Sequence, residues 1–69
     1  MFIKLTDEIN TQSVVQYHYV NPDKIIELVV RDDLQYTLVR IGKNDHFYCT
    51  ETPDEIFNLI NTQMVFGND

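Results

Sequence analysis

Alanine and tryptophan are missing from this chain altogether, and cysteine, proline and glycine are scarce: one Cys49, two prolines and two glycines. Each shortage excludes something. A single cysteine cannot form an internal disulfide. Two glycines, Gly42 and Gly67, cannot build a Gly-rich phosphate loop. Missing alanine beside plentiful Ile and Asn fits an AT-rich coding sequence, as in a low-GC bacterium or its phage. Cations are few as well: five Lys and Arg stand against eleven Asp and Glu, for a net charge of −6. None follows Lys43, whereas Asp45, Glu51, Asp54, Glu55 and Asp69 do. Direct binding of nucleic acid needs cations against phosphates, so that class is set aside. An anionic membrane would repel the chain for the same reason. No apolar run approaches the roughly 20 residues of a membrane span. Met1–Thr6 is too short for the apolar part of a signal peptide. A cytoplasmic location with a reduced thiol is the expectation.

What remains is the composition of a small folded domain, read as one unit over residues 1–69. An apolar share of 43% argues against disorder. A chain of 69 residues buries only about 60% of its unfolded surface and is marginal alone. With no disulfide to help, the remaining sources of stability are a metal, self-association or a well-packed core.

Five segments rich in β-branched and aromatic residues predict strands: about Phe2–Leu5, Ser13–Val20, Lys24–Arg31, Leu34–Ile41 and His46–Cys49. Asn21-Pro22-Asp23 is a turn in which Pro presets φ. Asp32-Asp33 suggests a tight hairpin, although neither residue suits the positive φ a two-residue turn needs. Gly42–Asp45 reads as a four-residue connection. Alternation places Val15, Tyr17 and Tyr19 opposite Val14, Gln16, His18 and Val20. It likewise sets Leu34, Tyr36 and Leu38 against Thr37, Val39 and Ile41. Neither face of any strand is cleanly polar. A half-exposed antiparallel sheet alternates sharply, so something covers both faces: a curl of the sheet, a second copy or a partner.

The helix announces itself at Thr52-Pro53-Asp54-Glu55. The Thr52 and Glu55 side chains can each satisfy the other residue's backbone N–H. Pro53 at the first helical position loses no bond. Asp54 and Glu55 complement the helix dipole. Ile56, Ile60 and Met64, helped by Leu59 or Phe57, form the stripe expected to lie on the sheet. The expected fold is α+β: an antiparallel β-meander of about five short strands packed by one C-terminal helix.

Chemistry is harder to find. His18, His46 and Cys49 are the zinc-ligand types, but odd spacing on a strand sends His46 and Cys49 to opposite faces. The same geometry defeats a Cys–His nucleophile, and the acidic surroundings of Cys49 would not lower its thiol pKa. Asp32-Asp33 and Asp54-Glu55 are adjacent, solvated pairs with structural explanations. No catalytic residue, metal or cofactor is assigned, and the chain is read as not an enzyme. Tyr17, Tyr19, Tyr36 and Tyr48 carry the strongest interaction signal, because Tyr is enriched at interfaces, although plain sheet packing also uses Tyr. Asp32 and Asp33 join them as an exposed acidic candidate.

Two stretches resemble the FlbD-like family of small flagellar and swarming-motility proteins. One is Tyr19-Val20-Asn21-Pro22-Asp23-Lys24-Ile25-Ile26-Glu27, similar to that family's strand, Asn-Pro-Asp turn and Ile-Glu strand. The other is Glu51-Thr52-Pro53-Asp54-Glu55-Ile56, similar to its acidic, capped helix start. Ile3-Lys4-Leu5-Thr6 and the strands around Gly42 agree with it. The chain departs from the pattern in lacking Gly between Asp7 and Gln12, in a longer Gly42–His46 link and in a non-basic tail. The resemblance implies a small β-rich fold closed by a helix and brings no catalytic residue with it.

The functional expectation is a non-catalytic protein-interaction module, self-associating, with a protein partner and a homo-oligomer anticipated. One alternative is a small acidic inhibitor from a phage or mobile element, mimicking nucleic-acid charge on a host protein. Another is a nucleotide ligand stacked on Tyr17 and Tyr19 at an oligomer seam, its phosphate met by Lys24, Arg31, Arg40 or Lys43.

Overall fold

A computed structural model describes residues 1–9 and 14–67, with helix side chains described through Thr62. It has five antiparallel strands in two sheets and one C-terminal helix, an α+β fold. The strands are β1 (Ile3–Thr6), β2 (Tyr17–Val20), β3 (Glu27–Arg31), β4 (Tyr36–Gly42) and β5 (Asp45–Cys49), and the helix is α1 (Pro53–Gly67). β3, β4 and β5 form a three-stranded meander, and β1 and β2 form a separate ribbon. The two are joined at one corner. Asp7 bridges Cys49, the Thr50 N–H donates to the Thr6 carbonyl at 3.0 Å, and the Glu8 N–H to the Tyr48 carbonyl at 3.1 Å.

That corner accounts for the apolar residues on one face of the meander, whereas Tyr36, Leu38 and Tyr48 stand half-buried on the other. The sheet folds over, and the ribbon and α1 cover one face of the meander. Ile3, Leu5 and Val20 from the ribbon, Val39 and Cys49 from the meander and Ile56 from α1 form one buried cluster. Ile25, Leu28, Ile41, Phe47, Leu59 and Ile60 pack around it half-buried. Each fully buried aliphatic side chain contributes about 1.5–3 kcal/mol before its ordering cost. Of the expected helix stripe, Ile56 is fully buried and Ile60 packs at the margin; the Met64 side chain lies outside the described residues.

Several strand ends differ from expectation. The second strand is only Tyr17–Val20: Val14, Val15 and Gln16 are not strand, and Ser13 lies outside the described residues. The third starts at Glu27, because Pro22–Lys24 forms a 3₁₀ turn capped by the Asn21 side chain on the Asp23 N–H. Pro at its first position favours such a turn over an extended start. Asp32-Asp33 is not a two-residue hairpin. Arg31 pairs with Tyr36, so the loop is Asp32–Gln35. The Leu34 and Gln35 N–H groups both donate to the Arg31 carbonyl, and Gln35 takes φ 58° to close the turn. The longer loop confines the left-handed conformation to one residue. The next turn is shorter than expected: Gly42 pairs with Asp45 across Lys43-Asn44, with an irregularity between Arg40 and Gly42. His46 is in β5, within the expected fifth strand.

The helix start matches its sequence signature. The Thr52 N–H donates to Glu55 Oε1 and the Glu55 N–H to Thr52 Oγ1, both at 3.2 Å, with Pro53 as the first helical residue.

Candidate functional site

The ribbon presents two faces of opposite character. Ile3, Leu5 and Val20 point into the core, together with His18. His18 stacks on Phe47 with ring centroids 4.1 Å apart, and its Nε2 lies 2.6 Å from Asp7 Oδ2. Asp7 Oδ1 also accepts the Ile9 N–H at 2.8 Å. These two bonds hold the Asp7 carboxyl below its ordinary pKa, the His18 bond contributing most.

On the outer face stand Phe2, Lys4, Tyr17 and Tyr19. Strand register sets Lys4 directly opposite Tyr19, and alternation brings Phe2 and Tyr17 to the same side. Tyr19 is 65% exposed, Phe2 63% and Tyr17 43%. The Lys4 ammonium lies 4.1 Å from the centre of the Tyr17 ring, a cation–π contact worth about 0.5–1 kcal/mol at an exposed site. No carboxylate belongs to this group of four. It is an aromatic group around one cation, bordered by Glu51, which Thr6 holds, and by Glu55.

The other tyrosines lie elsewhere. Tyr48 pairs with Leu38 in the meander, and Tyr36 sits two residues before Leu38 on the same outer face. Both are half-buried, and Tyr48 meets His46 edge to face with ring centroids 5.9 Å apart. Asp32 and Asp33 are exposed in the β3–β4 loop. Arg31 donates to both Asp33 carboxylate oxygens, at 3.2 and 3.0 Å, and holds that carboxyl below its ordinary pKa. The six expected interaction residues therefore divide into three places: Tyr17 with Tyr19, Tyr36 with Tyr48, and Asp32 with Asp33.

Cys49 is buried, and its Sγ donates to the Glu51 carbonyl at 3.6 Å. Burial, then the Glu51 charge, push the thiol up to about 12, so it is no nucleophile at neutral pH. Groups of three or more metal-ligating side chains are absent among the described residues. Two open clefts, of about 410 and 430 Å³, are present. Lys4, Glu51, Glu55 and Leu59 line the first, and Asp32, Tyr36, Thr37 and Pro53 the second. Glu51 and Glu55 are already engaged, Glu51 by Thr6 and Glu55 by the helix cap.

Two features were not drawn from the sequence. Lys4 is the cation beside the aromatic pair, whereas Arg31 and Arg40 are committed to Asp33 and Glu27. Pairing Lys4 with Tyr17 needs the β1–β2 register, which no local pattern carries. Asp7 and His18 are eleven positions apart and meet only across the ribbon. Among the described residues no helix is long and apolar enough to cross a membrane. Compared with family models, curated proteins and solved structures, the chain has no significant match in any of the three.

Proposed function

We propose that this protein is a non-catalytic interaction module that associates with itself. One observation carries the reading: Phe2, Tyr17 and Tyr19 stand exposed around Lys4 on the outer face of the ribbon, with no carboxylate among them. Aromatic side chains are enriched at interface centres, where acidic ones are depleted. Exposed acidic parts of the chain, such as Asp32 in the β3–β4 loop, would meet their copies with repulsion, whereas the aromatic part of this face would not. A core of six buried apolar side chains among the described residues supports the same reading, because small folds commonly gain stability by association. The FlbD-like resemblance is compatible with it, since nothing in that pattern supplies a catalytic residue.

Sedimentation equilibrium over micromolar to millimolar concentrations tests the reading. The expected mass is a multiple of the 8.2 kDa protomer, and it persists or grows at high salt, where apolar contacts hold and charge repulsion is screened. A protomer mass at every concentration and salt overturns it.

A further inference from the structure

The phase of the ribbon's hydrogen bonds identifies which backbone groups are left over. The Asp7 N–H donates to the Gln16 carbonyl at 2.9 Å, in the same register that pairs Leu5 with His18 and Ile3 with Val20. Antiparallel ladders alternate bonded and non-bonded pairs. Gln16, His18 and Val20 therefore turn their backbone groups toward β1, while Tyr17 and Tyr19 turn theirs away from it. The β1 side obeys the same phase: Thr6 and Glu8, the residues pointing away from β2, bond outward to Thr50, Glu51 and Tyr48. Among the described residues β1 is the only strand beside β2, and none of them bonds the outward N–H and C=O groups of Tyr17 and Tyr19, which form an open edge.

Natural sheets protect such edges with charges, proline or bulges. β3, the free edge of the meander, follows this rule: it begins at Glu27 and ends at Arg31, both ion-paired. β2 reads Tyr-His-Tyr-Val and has none of these devices.

We propose that a second copy of this chain occupies that edge, β2 pairing antiparallel with β2 of its partner about a two-fold axis through His18. This inference rests on the self-association reading above and assigns its surface. The spacing is self-complementary. With the axis at His18, Tyr17 of one protomer faces Tyr19 of the other, and these are the residues with outward backbone groups. Two such pairs give four main-chain hydrogen bonds. The ribbons merge into one four-stranded sheet, with the tyrosines opposed in cross-strand pairs on its outer face. No Lys, Arg, Asp or Glu side chain of β2 meets its like at the seam, where His18 faces its own copy on the inner side with Asp7 beside each. The two Lys4 residues lie three strand spacings apart, roughly 14 Å, beyond the screening distance at physiological salt.

The experiment follows individual amide protons of the full chain by hydrogen exchange across a concentration series, beside sedimentation of variants. The Tyr17 and Tyr19 amides gain protection as concentration rises, while His18 and Val20, bonded to β1, are protected throughout. Tyr19→Lys raises the dimer dissociation constant by roughly 30-fold or more, as loss of a central aromatic anchor does. Phe57→Lys, at another exposed aromatic on α1, leaves it within about twofold. A multimer whose Tyr17 and Tyr19 amides exchange freely at all concentrations overturns this edge and leaves self-association standing. A protein that is monomeric throughout overturns both. The exchange measurement uses the unaltered chain, so it decides the matter even where Tyr19→Lys does not fold.

Discussion

Asp7 Oδ2 lies 2.6 Å from His18 Nε2, Asp7 Oδ1 accepts the Ile9 N–H, and the Asp7 backbone bridges Cys49. This one residue ties the turn after β1 to β2 and to the meander. Its carboxyl titrates below the ordinary value of 3.8 in the folded protein. A depressed folded pKa stabilises the fold above the unfolded value, and that contribution is lost as pH falls through the folded one. Asp7→Asn is therefore less stable than the parent at neutral pH, and the gap between them narrows below about pH 4. Urea unfolding at a series of pH values reads this directly. Parallel stability curves for the two proteins would show that the His18 contact contributes nothing to the fold. At this scale Cys49 was readable as a small buried residue, since free cysteine is commonly buried. The Asp7–His18 pair was not, because its partners come from different strands.

At the scale of elements, the helix was the most legible part. Thr52, Pro53 and Glu55 act within four consecutive residues, so their bonds depend on local sequence alone. Strand ends were less legible, because Val14, Val15 and Ile26 look like strand residues yet lie outside the strands, although the Ile26 N–H still donates to the Arg40 carbonyl at 2.8 Å. The β3–β4 loop shows why its sequence misleads. Asp32-Asp33 suggested two residues, yet the chain uses four and places Gln35 at φ 58°. A side chain there costs about 1–2 kcal/mol that glycine would not. Gln35→Gly should therefore stabilise the protein by about 0.5–1 kcal/mol, once glycine's larger unfolded-state entropy is counted. Thermal unfolding would show a raised midpoint. A lowered one would mean that the Gln35 side chain makes contacts worth more than the strain.

For the molecule as a whole, Glu51 is the residue on which the layers converge. Its carboxylate accepts both the Thr6 N–H and the Thr6 hydroxyl at 2.8 Å. Its carbonyl accepts the Thr37 hydroxyl at 2.7 Å, which satisfies the one buried polar side chain among the described residues. Through it β1 and β4 are joined at the start of α1. Removing a carboxylate that holds two part-buried donors costs about 1–3 kcal/mol. Glu51→Ala should lose stability of that size in urea unfolding, with faster exchange at the Thr6 amide than elsewhere in β1. Loss of stability with Thr6 exchange unchanged would place the effect in the helix start rather than at the layer junction.

Local chemistry alone determined that this chain is a five-stranded α+β fold with a capped C-terminal helix, because propensity, turn residues and capping act over a few neighbouring positions. It also determined the alternation that sets Tyr17 and Tyr19 on one side of their strand and His18 and Val20 on the other. The tertiary structure decided the rest. A single meander and a folded-over pair of sheets share the same local signals and differ only in which strands meet, and the bonds at Asp7 and Thr50 choose between them. That choice buries Ile3, Leu5 and Val20 against Val39 and Ile56, brings Lys4 over Tyr17 and, among the described residues, leaves the outer edge of β2 without a neighbouring strand. Residues far apart in the chain gain energy only when packed together, so the sequence carries no local mark of where they meet.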